Sequence, residues 1–512
     1  MTDIEKRISS DSCIVCISTE NQTVNVLPVL QYDIKNVIIL STSRADNAGW
    51  TKRMKDYLDR LQKNTQVQRI NNEVEGNINL LSEFIYNLLK EKKSVVFNIS
   101  GGQKIHFLGL YDTFLKRKSN DDLLCYVDAN TYEIIFYDIE RNINTDNIRT
   151  LLSLNNVLNL YGIKSESVCI YPDLPRDKQE YIEIGRKAYK AFLNHCIFRE
   201  AFYAYGRPIV TPEDIGGYDK LKDFINDLLK SNSDIKNFQY VKSNQLKSLE
   251  HLIFGLFRAA KEEDLEKIAD IKKKFDNIYL DDIFCEIKND IVEQLTAYII
   301  KSLNPEEQVI ISEDSGYKDS DLIILKKIIE DIGGQLSPGL KIPLLRKNIK
   351  RLSIIGSPGI LFEWMVAAYI YDLIKDSEDL KRYINNVNMN VLLTNIDNQS
   401  SIAFSELDLV ITTKIGALII LELKTYKLEA DTAKSKEYVA KRSSGSYGRA
   451  IIVSPMLTSD KISTEDGITA YADYINTKLR DQEYIALRNN IKFWFFDEIK
   501  DKLPKEIMPK GK

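Results

Sequence analysis

At 512 residues the chain is long enough for about three domains of ordinary size and for a substantial buried core. Hydrophobic residues at 44% and charged residues at 28% exclude a chain that stays disordered for want of apolar surface. Lys+Arg 70 against Asp+Glu 74, a formal net charge of -4, excludes a histone-like or ribosomal role and leaves room for an enzyme with a local basic groove.

The first residues hold no basic-then-apolar leader, and no window approaches 18 uninterrupted apolar residues, so the expectation is a soluble, cytoplasmic protein without a membrane partner. Apolar, β-rich runs at 13–18, 37–40, 67–70, 95–99 and 123–127 read as strands, and 134–137 reads as a hairpin partner after the turn at 128–131. Between them, Leu81, Phe84, Ile85, Leu88 and Leu89 show the spacing of an amphipathic helix. This alternation predicts an α/β fold whose first domain, 1–164, is an open, mostly parallel Rossmann-like sheet covered by helices. Residues 165–345 carry long amphipathic patterns and few strand signals, and read as a helical linker or winged-helix-like region. From Ile354 the order helix, strand, hairpin, helix, strand, helix marks a second α/β unit, placed at 346–512.

Six cysteines and three histidines limit the chemistry. Cys13 and Cys16 form a C-x-x-C within a strand-like run, where positions three apart point to opposite faces, so core packing is expected. His106, His195 and His251 have no second His or Cys at ligand spacing, which speaks against a structural zinc or a His-centred metalloprotease. A metal here must be held by carboxylates, which suits Mg²⁺ or Mn²⁺.

Ligands of a parallel sheet gather beyond the carboxyl ends of its strands. Three such ends carry small polar residues: Ser18 with Asn21, Gln22 and Thr23; Thr42 with Arg44; and Ser100-Gly101-Gly102-Gln103-Lys104. The last puts a Gly-Gly turn at a helix start, where free N–H groups and the helix dipole attract an anion and Lys104 adds charge. A simple tight turn is the alternative. No G-x-G-x-x-G follows the first strand, which argues against a dinucleotide.

The informative C-terminal stretch is 405–425. Two runs of alternating apolar residues flank Lys414-Ile415-Gly416, a three-residue loop whose Gly suits a left-handed bulge position. Centring the hairpin on Ile415 makes Asp408 oppose Glu422 and Glu406 oppose Lys424 on one face. Two opposed carboxylates repel by about 4 kcal/mol at an effective dielectric near 20, and a divalent cation between them reverses the sign. Such a metal, with Lys424 beside it, is what phosphodiester hydrolysis requires. Upstream, Glu363 is the one charge within 358–368, and a buried carboxylate needs a cation or a strong hydrogen-bond partner. The alternative is a surface salt-bridge ladder, against which stands the hydrophobicity of both strands. After the hairpin, basic and aromatic residues over 434–449 suit contacts to a nucleic-acid backbone or a solvated helix face.

Glu363, Asp408 and the Glu422-Leu423-Lys424 signature resemble the PD-(D/E)xK nuclease superfamily. That resemblance implies a restriction-endonuclease-like domain, catalytic roles for Glu363, Asp408, Glu422 and Lys424, and metal ligation by Glu363, Asp408 and Glu422. The first domain resembles the CARF domain of type III CRISPR ancillary proteins, Asn21-Gln22-Thr23 matching the first-strand loop and 100–104 the fourth-strand motif. Together the ends are similar to CARF-fused nucleases that cyclic oligoadenylate activates in phage defence. This implies a homodimer that binds cyclic oligoadenylate through the three strand ends above and cleaves DNA and/or RNA. Two competing classes are a non-catalytic CARF-type transcriptional regulator with a degenerate C-terminal domain, and a HEPN-type ribonuclease. The second needs a histidine in its motif, and none follows His251.

Overall fold

The computed structural model describes residues 3–9, 11–150, 152–195, 358–396, 403–425, 430–458 and 482–508, with isolated positions beside them. The chain clusters into two compact units, one of Met1–Asn194 with Ile355–Lys512 and one of His195–Ile354. The description below concerns the first.

Its first sheet contains β1 (Cys13–Ile17), β2 (Asn36–Ser41), β3 (Asn64–Arg69), β4 (Val95–Asn98), β5 (Leu123–Asp128), β6 (Glu133–Tyr137) and β7 (Ile143–Asn147), in the order β3-β2-β1-β4-β5-β6-β7. The first five in that order run parallel, and β6 and β7 are antiparallel. Central strands covered on both faces read as unbroken apolar runs, and β1 and β4 are buried at every position. The five expected parallel strands and the hairpin strand all form. β7 was not expected: its sequence INTDN buries no residue, so an edge strand of this kind leaves no hydrophobic signal. Cys13 and Cys16 lie in the core of β1, where burial pushes their thiols up to about 11 and about 12. Val15, Ile17, Ile38, Leu40 and Phe97 pack with Leu81, Ile85 and Leu89 of one helix and Leu110 and Phe114 of another.

The second sheet contains β8 (Ile163–Tyr171), β9 (Ile384–Asn395), β10 (Ser405–Thr413), β11 (Leu418–Leu423), β12 (Arg449–Ser454) and β13 (Lys492–Phe495), in the order β13-β12-β11-β10-β9-β8. β8 to β11 are antiparallel neighbours, and β11, β12 and β13 run parallel.

The helices used below are α1 (Thr23–Gln31), α2 (Lys104–Arg117), α3 (Gln179–Asn194), α4 (Pro358–Asp376) and α5 (Ala430–Ser444). Helix α3 lies on α4. Arg186 donates two hydrogen bonds to the Asp372 carboxylate, at 2.8 and 2.7 Å, and the Tyr181 and Trp364 rings stack at 5.0 Å. A side chain at Gly185 would overlap the Trp364 carbonyl.

β8 and α3 therefore belong with the C-terminal layer, which corrects the expectation of a helical central region from 165. The strand was missed because β8 is an edge strand with one buried residue between its ends, Ile163 and Ile170 being its fully buried positions. Most of the expected region 165–345 lies outside the described residues. No helix among the described residues is long and apolar enough to cross a membrane.

The two layers meet at the β10–β11 turn. Gly416 has φ +77°, and a Cβ there would lie 2.7 Å from Thr23 Cγ2. Asn385 Nδ2 donates to the Leu152 carbonyl at 2.6 Å, and the Tyr132 and Tyr383 rings sit 4.7 Å apart.

Candidate active site and ligand face

The hairpin register is the expected one. Leu409 pairs Leu421, Val410 pairs Ile420 and Ile411 pairs Ile419, and Thr413 N donates to the Ala417 carbonyl across the three-residue loop. Continuing that ladder by one residue sets Asp408 opposite Glu422. Asp408 Oδ2 accepts from Leu423 N at 2.7 Å. Glu422 is 2% exposed, on a strand otherwise made of Leu and Ile.

The Lys424 side chain turns to its own strand's carboxylate: Nζ lies 2.6 Å from Glu422 Oε1. Glu406, expected opposite Lys424, is exposed. A second lysine, not singled out in the sequence, completes the pairing. Lys436 on α5 places Nζ 2.9 Å from Glu422 Oε2, and the same group donates to the Glu406 carbonyl. Its only signal was membership of the basic stretch 434–449, since a contact between a helix and a strand behind it has no spacing rule.

The carboxylates are electrostatically strained. Burial pushes Asp408 up to about 6, and the charge of Glu422 adds to the shift, while the Leu423 N–H and the two lysines oppose it. Burial likewise pushes Glu363, half-buried on α4, up to about 7, with Asp408 and Glu406 adding. The Lys424 ammonium is held above its ordinary value; burial works against its charge, and Glu422, Asp408 and Glu363 outweigh it.

Among the described residues, no three His, Cys, Asp or Glu side chains are gathered as a metal-binding group. The carboxylates of Asp408 and Glu422, opposed across the hairpin, are oxygen donors of the class that suits Mg²⁺ and Mn²⁺.

At the other sheet, Gly102, Gln103 and Lys104 are exposed at the start of α2. Gly102 has φ +92°, and the buried His106 turns back so that its Nδ1 accepts from Gln103 N at 3.0 Å. Ser100 Oγ donates to Asn98 Oδ1 at 2.6 Å and accepts from Val127 N at 2.7 Å. Gly101 is buried, and a Cβ there would lie 2.7 Å from Thr19 Cγ2, so the 100–104 and 18–23 loops are packed together.

The first-strand loop faces inward. Ser18, Gln22 and Thr23 are buried, Gln22 Nε2 donates to the Trp50 carbonyl at 2.9 Å, and Asn21 Nδ2 donates to Ser446 Oγ at 2.8 Å. Thr42 is buried and caps a short helix through Ala45 N. Arg44 is exposed, with its guanidinium 5.7 Å from the Trp50 ring centroid.

The parallel five-strand core, the antiparallel pair after it and the Gly-Gly turn that opens α2 all lie within residues 13–147. The family model "Card1 CARF domain" matches residues 13–157. This segment is a CARF domain. Across the whole chain, the protein VC1899 from Vibrio cholerae is similar in structure, with TM-score 0.54, 15% identity, and coverage of 98% of this chain and 100% of that one. Can2 from Sulfobacillus thermosulfidooxidans, solved in complex with cyclic tetra-adenylate, aligns at TM-score 0.48 and 15% identity over 96% and 98% of the two chains. A type III CRISPR defence DNA nuclease activated by cyclic oligoadenylate aligns at 0.36 and 12% over 87% of this chain and 45% of its own. No curated protein matches the chain. The TM-score of 0.54 shows that the chain shares the fold of VC1899.

Proposed function

We propose that the protein is a homodimeric nuclease of CRISPR antiviral defence, dependent on Mg²⁺ or Mn²⁺ and activated by cyclic oligoadenylate at its CARF domain. The observation that carries this reading is the register that opposes Asp408 to Glu422, with Lys424 on Glu422 and Glu363 raised by burial and, secondarily, by the nearby carboxylates. A divalent cation held by Glu363, Asp408 and Glu422 supplies, when bound, a Lewis acid that lowers the pKa of water and neutralises phosphoryl oxygens. The Leu423 N–H bonds one Asp408 oxygen, so the other is the one this reading gives to the cation. Lys424 brings a positive charge to where negative charge grows in the transition state. For the activator, the exposed Gly102-Gln103-Lys104 turn and Arg44 offer N–H groups and cations to phosphates. A two-fold symmetric ring suits an isologous pair of such faces.

The test offers plasmid, single-stranded DNA and RNA with Mg²⁺ or Mn²⁺, with and without cyclic tetra- and hexa-adenylate. Cleavage that needs both ring and metal and is lost in Glu422→Gln is the expected result. No cleavage of any substrate under any of these conditions refutes the nuclease reading and leaves a non-catalytic CARF regulator.

A further inference from the structure

Helix α5 is tied to the carboxylate site along its length and to the CARF domain at its end. Lys436 reaches Glu422 and the Glu406 carbonyl. Two turns further on, Ser444 Oγ donates to the Gly416 carbonyl at 2.9 Å and accepts from Leu418 N at 3.2 Å. Just beyond the helix, Ser446 N donates to Asn21 Oδ1 at 3.0 Å. Lys436 and Ser444 are separated by about 12 Å of helix at 1.5 Å per residue. Asn21 belongs to the loop that packs against Gly101 through Thr19. A continuous chain of contacts therefore runs from the exposed 102–104 turn to Glu422.

Both oxygens of Glu422 face an ammonium group: Lys424 at Oε1 and Lys436 at Oε2. A divalent cation requires one of these oxygens, and an ammonium that close to it is repelled. Lys424 stands two residues from Glu422 on the same chain segment. Lys436 comes from a separate helix whose far end the CARF loop holds.

We propose that Lys436 is an autoinhibitory cation that blocks Glu422 from metal in the idle protein, and that a cyclic oligoadenylate at the CARF face withdraws it through Asn21, Ser446 and α5. This rests on the nuclease and sensor readings above and adds the device that joins them. Ring binding then changes the metal site without touching it, because α5 has different contacts in the two states.

The experiment is calorimetric titration of Mn²⁺ into the full-length protein without nucleic acid, with and without cyclic tetra- and hexa-adenylate. Four proteins are compared: the parent, Lys436→Ala, Lys436→Met, which keeps the apolar stem, and Glu422→Gln. The parent is expected to bind Mn²⁺ at least about 10-fold more tightly with the activating ring, as release of a like charge allows. Both Lys436 variants are expected to show that tighter binding without ring and to gain less than about 2-fold from it. Lys436 variants that bind Mn²⁺ no more tightly than the parent, while Glu422→Gln loses binding, overturn the blocking role alone. A parent whose Mn²⁺ affinity neither ring changes overturns the release step. Unchanged Mn²⁺ binding in Glu422→Gln overturns the metal-site reading and this proposal with it.

Discussion

Replacing Asp408 with Asn should stabilise the metal-free protein while abolishing cleavage. The carboxyl is pushed from 3.8 to about 6 by burial and by Glu422, and a pH unit corresponds to about 1.4 kcal/mol. Holding the charge at pH 7.5 thus costs the folded state at most about 3 kcal/mol, and about 1 kcal/mol after solvent screening of a half-buried group. Because the folded value is raised, the stability this group contributes is complete below about pH 4 and is lost as pH climbs through about 6. Asn is neutral at every pH, and its Oδ1 can still accept from Leu423 N–H. For a unit of this size about 2 °C accompanies each kcal/mol, so Asp408→Asn should melt about 2–6 °C above the parent at pH 7.5 in chelator. The gap should close towards pH 4.5, and saturating Mn²⁺ should reverse the order by stabilising the parent alone. Scanning fluorimetry at both pH values checks this. A variant that melts below the parent at pH 7.5 in chelator refutes the reasoning, because the opposed carboxylates would then not be in conflict.

Three further outcomes follow from the geometry. Lys424→Ala should lower the cleavage rate at saturating metal by about 100-fold, as loss of one preorganised charge does, without weakening Mn²⁺ binding measured by calorimetry. Lys104→Ala should raise the ring concentration for half-maximal cleavage and leave the saturated rate unchanged, since it removes binding and no chemistry; a titration of cleavage against ring reads both. Gly185→Ala should cost about 1–3 kcal/mol in denaturant unfolding by forcing α3 off the Trp364 carbonyl, and cleavage should fall with it because Glu363 is the next residue on α4.

The hairpin register was legible because side-chain direction in a strand alternates with period two and a three-residue loop ending in Gly leaves one way to pair. That local rule predicted the opposition of Asp408 and Glu422 from the chain alone. The partner expected for Lys424 was different. A long, flexible side chain goes to the nearest buried charge, and Glu422, at 2% exposure, has more to gain from an ammonium than the exposed Glu406. The first-strand loop gives a second case. Small polar residues after β1 read as ligand contacts, yet Gln22 and Thr23 are buried and Asn21 holds Ser446, a residue 425 positions away that no pattern could bring near.

The sequence by itself determined the strands with two buried faces, the core role of Cys13 and Cys16, and the hairpin register that opposes Asp408 to Glu422, because each depends on neighbours within a few residues. Tertiary structure alone decided that β8 and α3 join the C-terminal layer, that Gly185 seats one helix on another, and that Lys436 meets Glu422. Edge strands and exposed helix faces need little hydrophobic patterning to form, and cross-element contacts are set by packing geometry. The link from the CARF loop through α5 to Glu422 is of that second kind, built from side chains whose separation in the chain carries no periodic signal.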